Sequence, residues 1–124
     1  MRNVLLTGLL TLALSCQEPP SRECGRFQQG TFRFTATVDG QEETTVFTRT
    51  QNLEISEYKG QKDSASVRWI NDCEYIVTNL NPKNRGEEKP IHMKILSTSE
   101  DSYTFEYKLV GTSNGSRGTA YKVE

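Results

Sequence analysis

Residues 31–38 read Thr-Phe-Arg-Phe-Thr-Ala-Thr-Val, and residues 103–109 read Tyr-Thr-Phe-Glu-Tyr-Lys-Leu. Apolar and polar side chains alternate in both segments. A strand turns successive side chains to opposite faces, so a period of two describes a sheet with one buried face and one wetted face. An amphipathic helix needs a period of 3.6, and no segment after residue 16 shows one. This pattern restricts the chain to β structure built from short strands.

The same reading extends along the chain. Phe32, Phe34, Ala36 and Val38 share one face of a first strand, and Asp39-Gly40 is a strong hairpin turn. A less regular second strand covers residues 44–50. A third covers residues 52–58, with Leu53 and Ile55 on one face, and Lys59-Gly60 turns the chain. Ala65, Val67 and Trp69 point inward from a fourth strand at 64–70, Asn71-Asp72 turns again, and Cys73, Tyr75 and Val77 alternate along a fifth. Residues 81–90 form a loop. Ile91, Met93 and Ile95 begin a sixth strand, Tyr103 to Leu109 is the seventh, residues 111–118 form a Gly/Ser/Asn loop, and Tyr121 and Val123 mark the last.

Eight short strands joined by turns predict an all-β, antiparallel fold, a small barrel or two-layer sandwich of lipocalin-like type. The inward set, including Phe32, Phe34, Trp69, Tyr75, Tyr103, Phe105 and Tyr107, is bulky. Side chains of this size can just fill an eight-stranded barrel, so the expectation is a packed interior with at most a shallow pocket at the rim beside Trp69.

The N-terminus has a different character. Arg2 is followed by an apolar run from Val4 to Leu14, then Ser15 and Cys16. A cation, a short apolar stretch and a small residue are the parts of an export signal. The run is too short to span a membrane, which takes roughly 18 or more apolar residues. Gln17-Glu18-Pro19-Pro20 cannot extend it as a helix. A cysteine directly after the small residue resembles a bacterial lipoprotein signal, in which the cysteine becomes the lipid-bearing first residue. The resemblance implies a signal over residues 1–15, lipidation of Cys16, a tether over 16–23 and one β domain over 24–124. Leu14 and Ala13 stand in the reverse of the commoner lipobox order. Gln17 after the cysteine resembles outer-membrane sorting, because aspartate there is the common retention residue for the inner membrane. Stretched out, the tether reaches about 20–25 Å.

Lys and Arg number 15 against 16 Asp and Glu, and no stretch is strongly basic. This composition and the export signal exclude a dedicated nucleic-acid surface. Of the three cysteines, lipidation of Cys16 would leave Cys24 and Cys73. An exported compartment permits them to pair, and the alternative is two buried thiols. A bridge would close a loop of about 50 residues, with a loop-entropy gain of about 4 kcal/mol. The cysteines and the lone His92 have no metal-ligand spacing, so neither metal nor cofactor is expected.

Cys24-Gly-Arg-Phe27-Gln-Gln-Gly30-Thr31-Phe32, Arg49-Thr-Gln51-Asn-Leu-Glu54 and Trp69-Ile-Asn-Asp72-Cys73-Glu74-Tyr75 together resemble a group of short Gram-negative lipoproteins with no firmly assigned activity. The similarity covers residues 24–77. It implies an exported, lipid-anchored β domain whose two cysteines pair. Some members of that group carry the label of a DNA topoisomerase subunit. Nothing here supports such a role, since the chain lacks a nucleophilic tyrosine in a helical DNA-binding context.

The polar residues within these motifs are Arg49, Glu54, Asp72 and Glu74. With Trp69 they form a candidate binding rim, or else they fix register through cross-strand ion pairs and turn hydrogen bonds. Catalysis is not expected. His92 lies between inward Ile91 and Met93 and so faces outward, no Gly-x-Ser-x-Gly motif occurs, and a Glu54–Glu74 pair is the kind any β domain offers. The expected role is binding or structural, in the cell envelope and at the outer membrane, with the membrane met through the Cys16 lipid. The expected partner is an envelope protein or, for a lipocalin-like carrier, a small amphipathic ligand. A weak hydrolase is the remaining alternative and requires convergent carboxylates in a cleft.

Overall fold

The computed structural model describes residues 22–123. A short 3-10 helix (Cys24–Phe27) leads into eight strands: β1 (Gly30–Val38), β2 (Gln41–Arg49), β3 (Leu53–Tyr58), β4 (Gln61–Asn71), β5 (Glu74–Asn79), β6 (Ile91–Thr98), β7 (Ser102–Leu109) and β8 (Ser116–Lys122). Each strand pairs antiparallel with the next, and β8 pairs back onto β1, so the sheet is a closed up-and-down barrel. Closure removes every sheet edge. The expected export signal, Cys16 and most of the expected tether lie outside the described residues.

Two hairpins are set by backbone chirality. Asp39 and Gly40 have φ of 51° and 77°, and Lys59 and Gly60 have 49° and 76°. Positive φ at both central residues gives the primed turn whose twist matches that of the flanking strands. Both hairpins lie at one end of the barrel, together with the 80–90 and 110–115 loops. At the other end lie the 3-10 helix, the β2–β3 and β4–β5 turns, and the β6–β7 turn.

This second end is plugged. Phe27 is fully buried and packs on Tyr103 and Phe32, with ring centroids 5.4 and 6.4 Å apart. The helix is fastened around its rim. Glu23 donates its backbone N–H to Thr98 Oγ1 (2.8 Å), Arg26 Nη2 donates to the Glu100 carbonyl (2.6 Å), and Lys122 Nζ donates to the Arg26 carbonyl (2.9 Å). A Cys24–Cys73 disulfide joins the plug to the residue before β5, with Cα atoms 5.3 Å apart. The sequence had left pairing and free thiols open, and they are paired.

The register fixes what points inward. Arg49 lies opposite Glu54, and Phe47 opposite Ser56. Leu53 and Ile55 therefore share a face, as their spacing requires, but it is the outer one, and Ile55 is 41 % exposed. Residues 116–118, read from sequence as loop, begin β8. There Gly118 lies opposite Phe105 in the register, and a Cβ on it would come within 2.5 Å of the Phe34 ring and 3.0 Å of the Phe105 ring. Glycine in a strand interior often marks such a close approach.

Candidate functional site

The barrel interior has two halves of opposite character. The half beneath the plug is filled around Arg49, the last residue of β2, which is 1 % exposed. Its Nη1 donates to the Tyr75 hydroxyl and its Nη2 to the Tyr103 hydroxyl, each at 2.8 Å. Its guanidinium carbon lies 4.7 Å from the Tyr75 ring centroid, 4.9 Å from Phe32 and 5.6 Å from Phe47, with Trp69 and Tyr103 at 5.8 Å. Ring quadrupoles attract a cation held this way, and the attraction grows when water is excluded. Burial works against the charge, but the two phenols, Glu54 and the Tyr103 hydrogen bond together raise the Arg49 pKa, so it remains a cation.

Glu54 faces Arg49 from β3. Its Oε2 is 3.8 Å from Arg49 Nε, and neither atom makes a hydrogen bond. Burial pushes the Glu54 carboxyl up from its ordinary range, with Arg49 opposing the shift. Burial likewise pushes Tyr75 well up, so its phenol stays protonated.

The other half is hollow. A pocket of about 270 Å³ has Phe34, Val77, Ile91, Met93, Phe105 and Tyr107 on its apolar side and Thr45, Glu54 and Ser56 on its polar side. A second cavity of about 340 Å³ shares Glu54, Ser56, Val77 and Ile91 with it and adds Asp63, Asn79, Glu87 and Lys89. The expectation of a packed interior is thus corrected for this half. Inward positions there on β2, β3 and β4 carry Thr45, Ser56, Asp63 and Ala65, which are too small to meet the aromatic wall opposite. A shallow groove beside Trp69 also exists, lined by Gln28, Gln51, Asn71 and Asp72 on the outside of the plugged end.

The five residues of the expected rim do not form one site. Trp69 points inward and packs against Tyr75 with tilted rings, centroids 4.4 Å apart, and with Arg49 and Glu54 it belongs to the interior. Asp72 is exposed in the β4–β5 turn, where its carbonyl accepts from Gln28 Nε2 (3.2 Å). Glu74 lies on the outer face, because Tyr75 beside it points in. Its Oε2 accepts from Asn71 Nδ2 (2.6 Å), and its Oε1 lies 3.2 Å from His92 Nε2. The Asn71 hydrogen bond, helped by His92 and Lys94, lowers the Glu74 pKa. The barrel wall separates Glu54 from Glu74, so they cannot act as paired carboxylates on one substrate.

Reading from sequence missed Thr45 and Ser56 as pocket residues and the two phenols as partners of Arg49. A signal was present: Thr45, Phe47 and Arg49 keep one phase, and hairpin pairing carries that phase onto Glu54 and Ser56. Among the described residues, no group of three or more His, Cys, Asp or Glu side chains could hold a metal, and no helix is long and apolar enough to cross a membrane. No family model, curated protein or solved structure matches the chain.

Proposed function

We propose that this chain is an exported, lipid-anchored protein of the cell envelope whose barrel binds a small amphipathic ligand. The observation that carries the reading is the two-sided pocket in the unplugged half, apolar on one wall and hydrogen-bonding on the other. Ligand sites are concave, largely apolar and furnished with a few placed polar groups, and this pocket meets each condition. Its volume of about 270 Å³ compares with about 150 Å³ for an engineered apolar cavity that takes up benzene.

The lipid anchor on Cys16 draws on the N-terminal signal, and outer-membrane residence draws on Gln17. Mass spectrometry of the membrane fraction should find Cys16 as a modified first residue, and a mature form starting elsewhere removes the anchor. Native mass spectrometry of the purified chain should find a small apolar molecule bound, released when Val77→Phe fills the pocket. A wild-type protein that neither carries nor takes up such a molecule rejects the ligand reading. Docking to an envelope protein is a second reading, favoured by exposed Val38, Tyr58, Leu80, Leu109 and Val110 around the open end. The closed sheet leaves no strand edge for that contact.

A further inference from the structure

The polar groups of the pocket are unequal, and their arrangement narrows the ligand class. This inference rests on the binding role proposed above. Two titratable groups of opposite charge type lie deep in the barrel, Arg49 and Glu54, yet only Glu54 lines the pocket. Arg49 lies behind it, with two guanidinium nitrogens given to Tyr75 and Tyr103 and with aromatic faces around it. A ligand anion would have to displace Glu54 and pull Arg49 from its phenols before reaching the guanidinium charge.

A ligand cation meets a carboxylate directly. The Glu54 side chain keeps 18 % exposure, and the space it faces is the pocket and the cavity adjoining it. Its Oε2 is buried on the side of Arg49 Nε, so the exposed remainder of the carboxyl is what a ligand meets. Along the adjoining cavity lie Asp63 and Glu87 against one Lys89, so formal charge there favours a cation. Glu43, also inward on β2, is already paired with Lys59 at 3.2 Å.

We propose that the barrel takes a small amphipathic amine, its apolar body against Val77, Ile91, Met93 and Tyr107 and its ammonium head donating to the Glu54 carboxylate on the side of Asp63 and Glu87. Thr45 and Ser56 flank the head and supply hydroxyl acceptors. The head group sits where the two cavities meet, and the apolar body fills the first.

The test is calorimetric titration of the purified full chain, in non-ionic detergent with a detergent blank, against n-octylamine, octanoate and 1-octanol. The amine should bind at least about tenfold more tightly than either of the others, a difference within reach of one charge-assisted hydrogen bond. Glu54→Gln should bring octylamine down to the level of octanol. Octanoate or octanol binding as tightly as the amine overturns the head-group assignment while leaving the pocket a ligand site. Absence of binding by all three overturns the binding role itself, and this inference with it. If Glu54→Gln does not fold, the order of affinities in the wild-type chain decides alone.

Discussion

Arg49 and Glu54 face each other across β2 and β3, 3.8 Å apart from Nε to Oε2, and neither of these atoms makes a hydrogen bond. The pair is an attraction across a gap in a medium with little water, held open by the phenols that take the other guanidinium nitrogens. Taking Arg49 away leaves Glu54 buried without its countercharge, whereas Arg49 alone would keep its two phenols.

Arg49→Ala is therefore expected to cost about 3–5 kcal/mol in denaturant unfolding, the range for breaking a buried pair from one side. Arg49→Met combined with Glu54→Leu should lose much less than Arg49→Met alone, because no buried charge is then left behind. Equal losses in the single and double variants would mean that the pair carries no coupling.

Stability should depend on pH through Glu54. Its native pKa is raised, mainly by burial. The native state therefore holds this proton more tightly than the unfolded chain does. The stability contributed is complete below the unfolded pKa, is lost as pH rises through the native pKa, and is flat above it. Glu74 acts in the opposite sense. Its lowered pKa contributes stability above the unfolded value, lost as pH falls through the native one. Unfolding curves of Glu54→Gln and wild type, measured from acidic to neutral pH, should diverge with the sign given for Glu54. Parallel curves would mean that folding does not change the proton affinity of this residue.

Cys24→Ser with Cys73→Ser is expected to cost about 2–5 kcal/mol, the range for removing a native disulfide from a small domain. Part of that loss should appear locally. Reduction should speed hydrogen exchange at residues 24–29 before the barrel unfolds, because the plug is then held by Phe27 and rim hydrogen bonds alone. Uniform exchange along the chain would show that plug and barrel open together.

Gly118→Ala should destabilise by about 1–3 kcal/mol, since its methyl group meets two aromatic rings that cannot both retreat. Pairing it with Phe34→Leu should recover part of the loss, measured in the same unfolding assay. No recovery would mean that the backbone, and not the ring, resists the methyl.

How far the residues announced all this varies from strand to strand. β1 and β7 were legible because one face is aromatic and the other is Thr, Arg, Glu or Lys. β3 was not, because Leu53 and Ile55 carry the apolar signal and yet lie on the outer face, while Glu54 and Ser56 point in. Tertiary register overrides local hydropathy there, since Arg49 needs an acidic neighbour inside. β8 was shortened in the reading because Ser116 and Gly118 resemble loop residues. The smallness of Gly118 serves the packing of Phe34 and Phe105. From sequence, Arg49 and Glu54 stand with Trp69, Asp72 and Glu74 as a candidate rim, and only the register shows that Arg49 and Glu54 face each other in the interior.

The disulfide has a mechanical meaning as well as an entropic one. In a ring of eight strands, β1 and β5 lie four places apart in either direction. Cys24 leads into β1 and Cys73 leads into β5, so the bridge crosses the barrel instead of following its wall. The seam where β8 returns to β1 is short: Phe32, Arg33 and Phe34 pair with Lys122, Tyr121 and Ala120, and the Val123 N–H donates to the Thr31 carbonyl. Tension arriving along the N-terminal segment reaches Cys24 before it reaches β1. The covalent strut carries that load to the opposite wall, so a pull that would otherwise peel β1 from its short seam is borne by the far side of the ring.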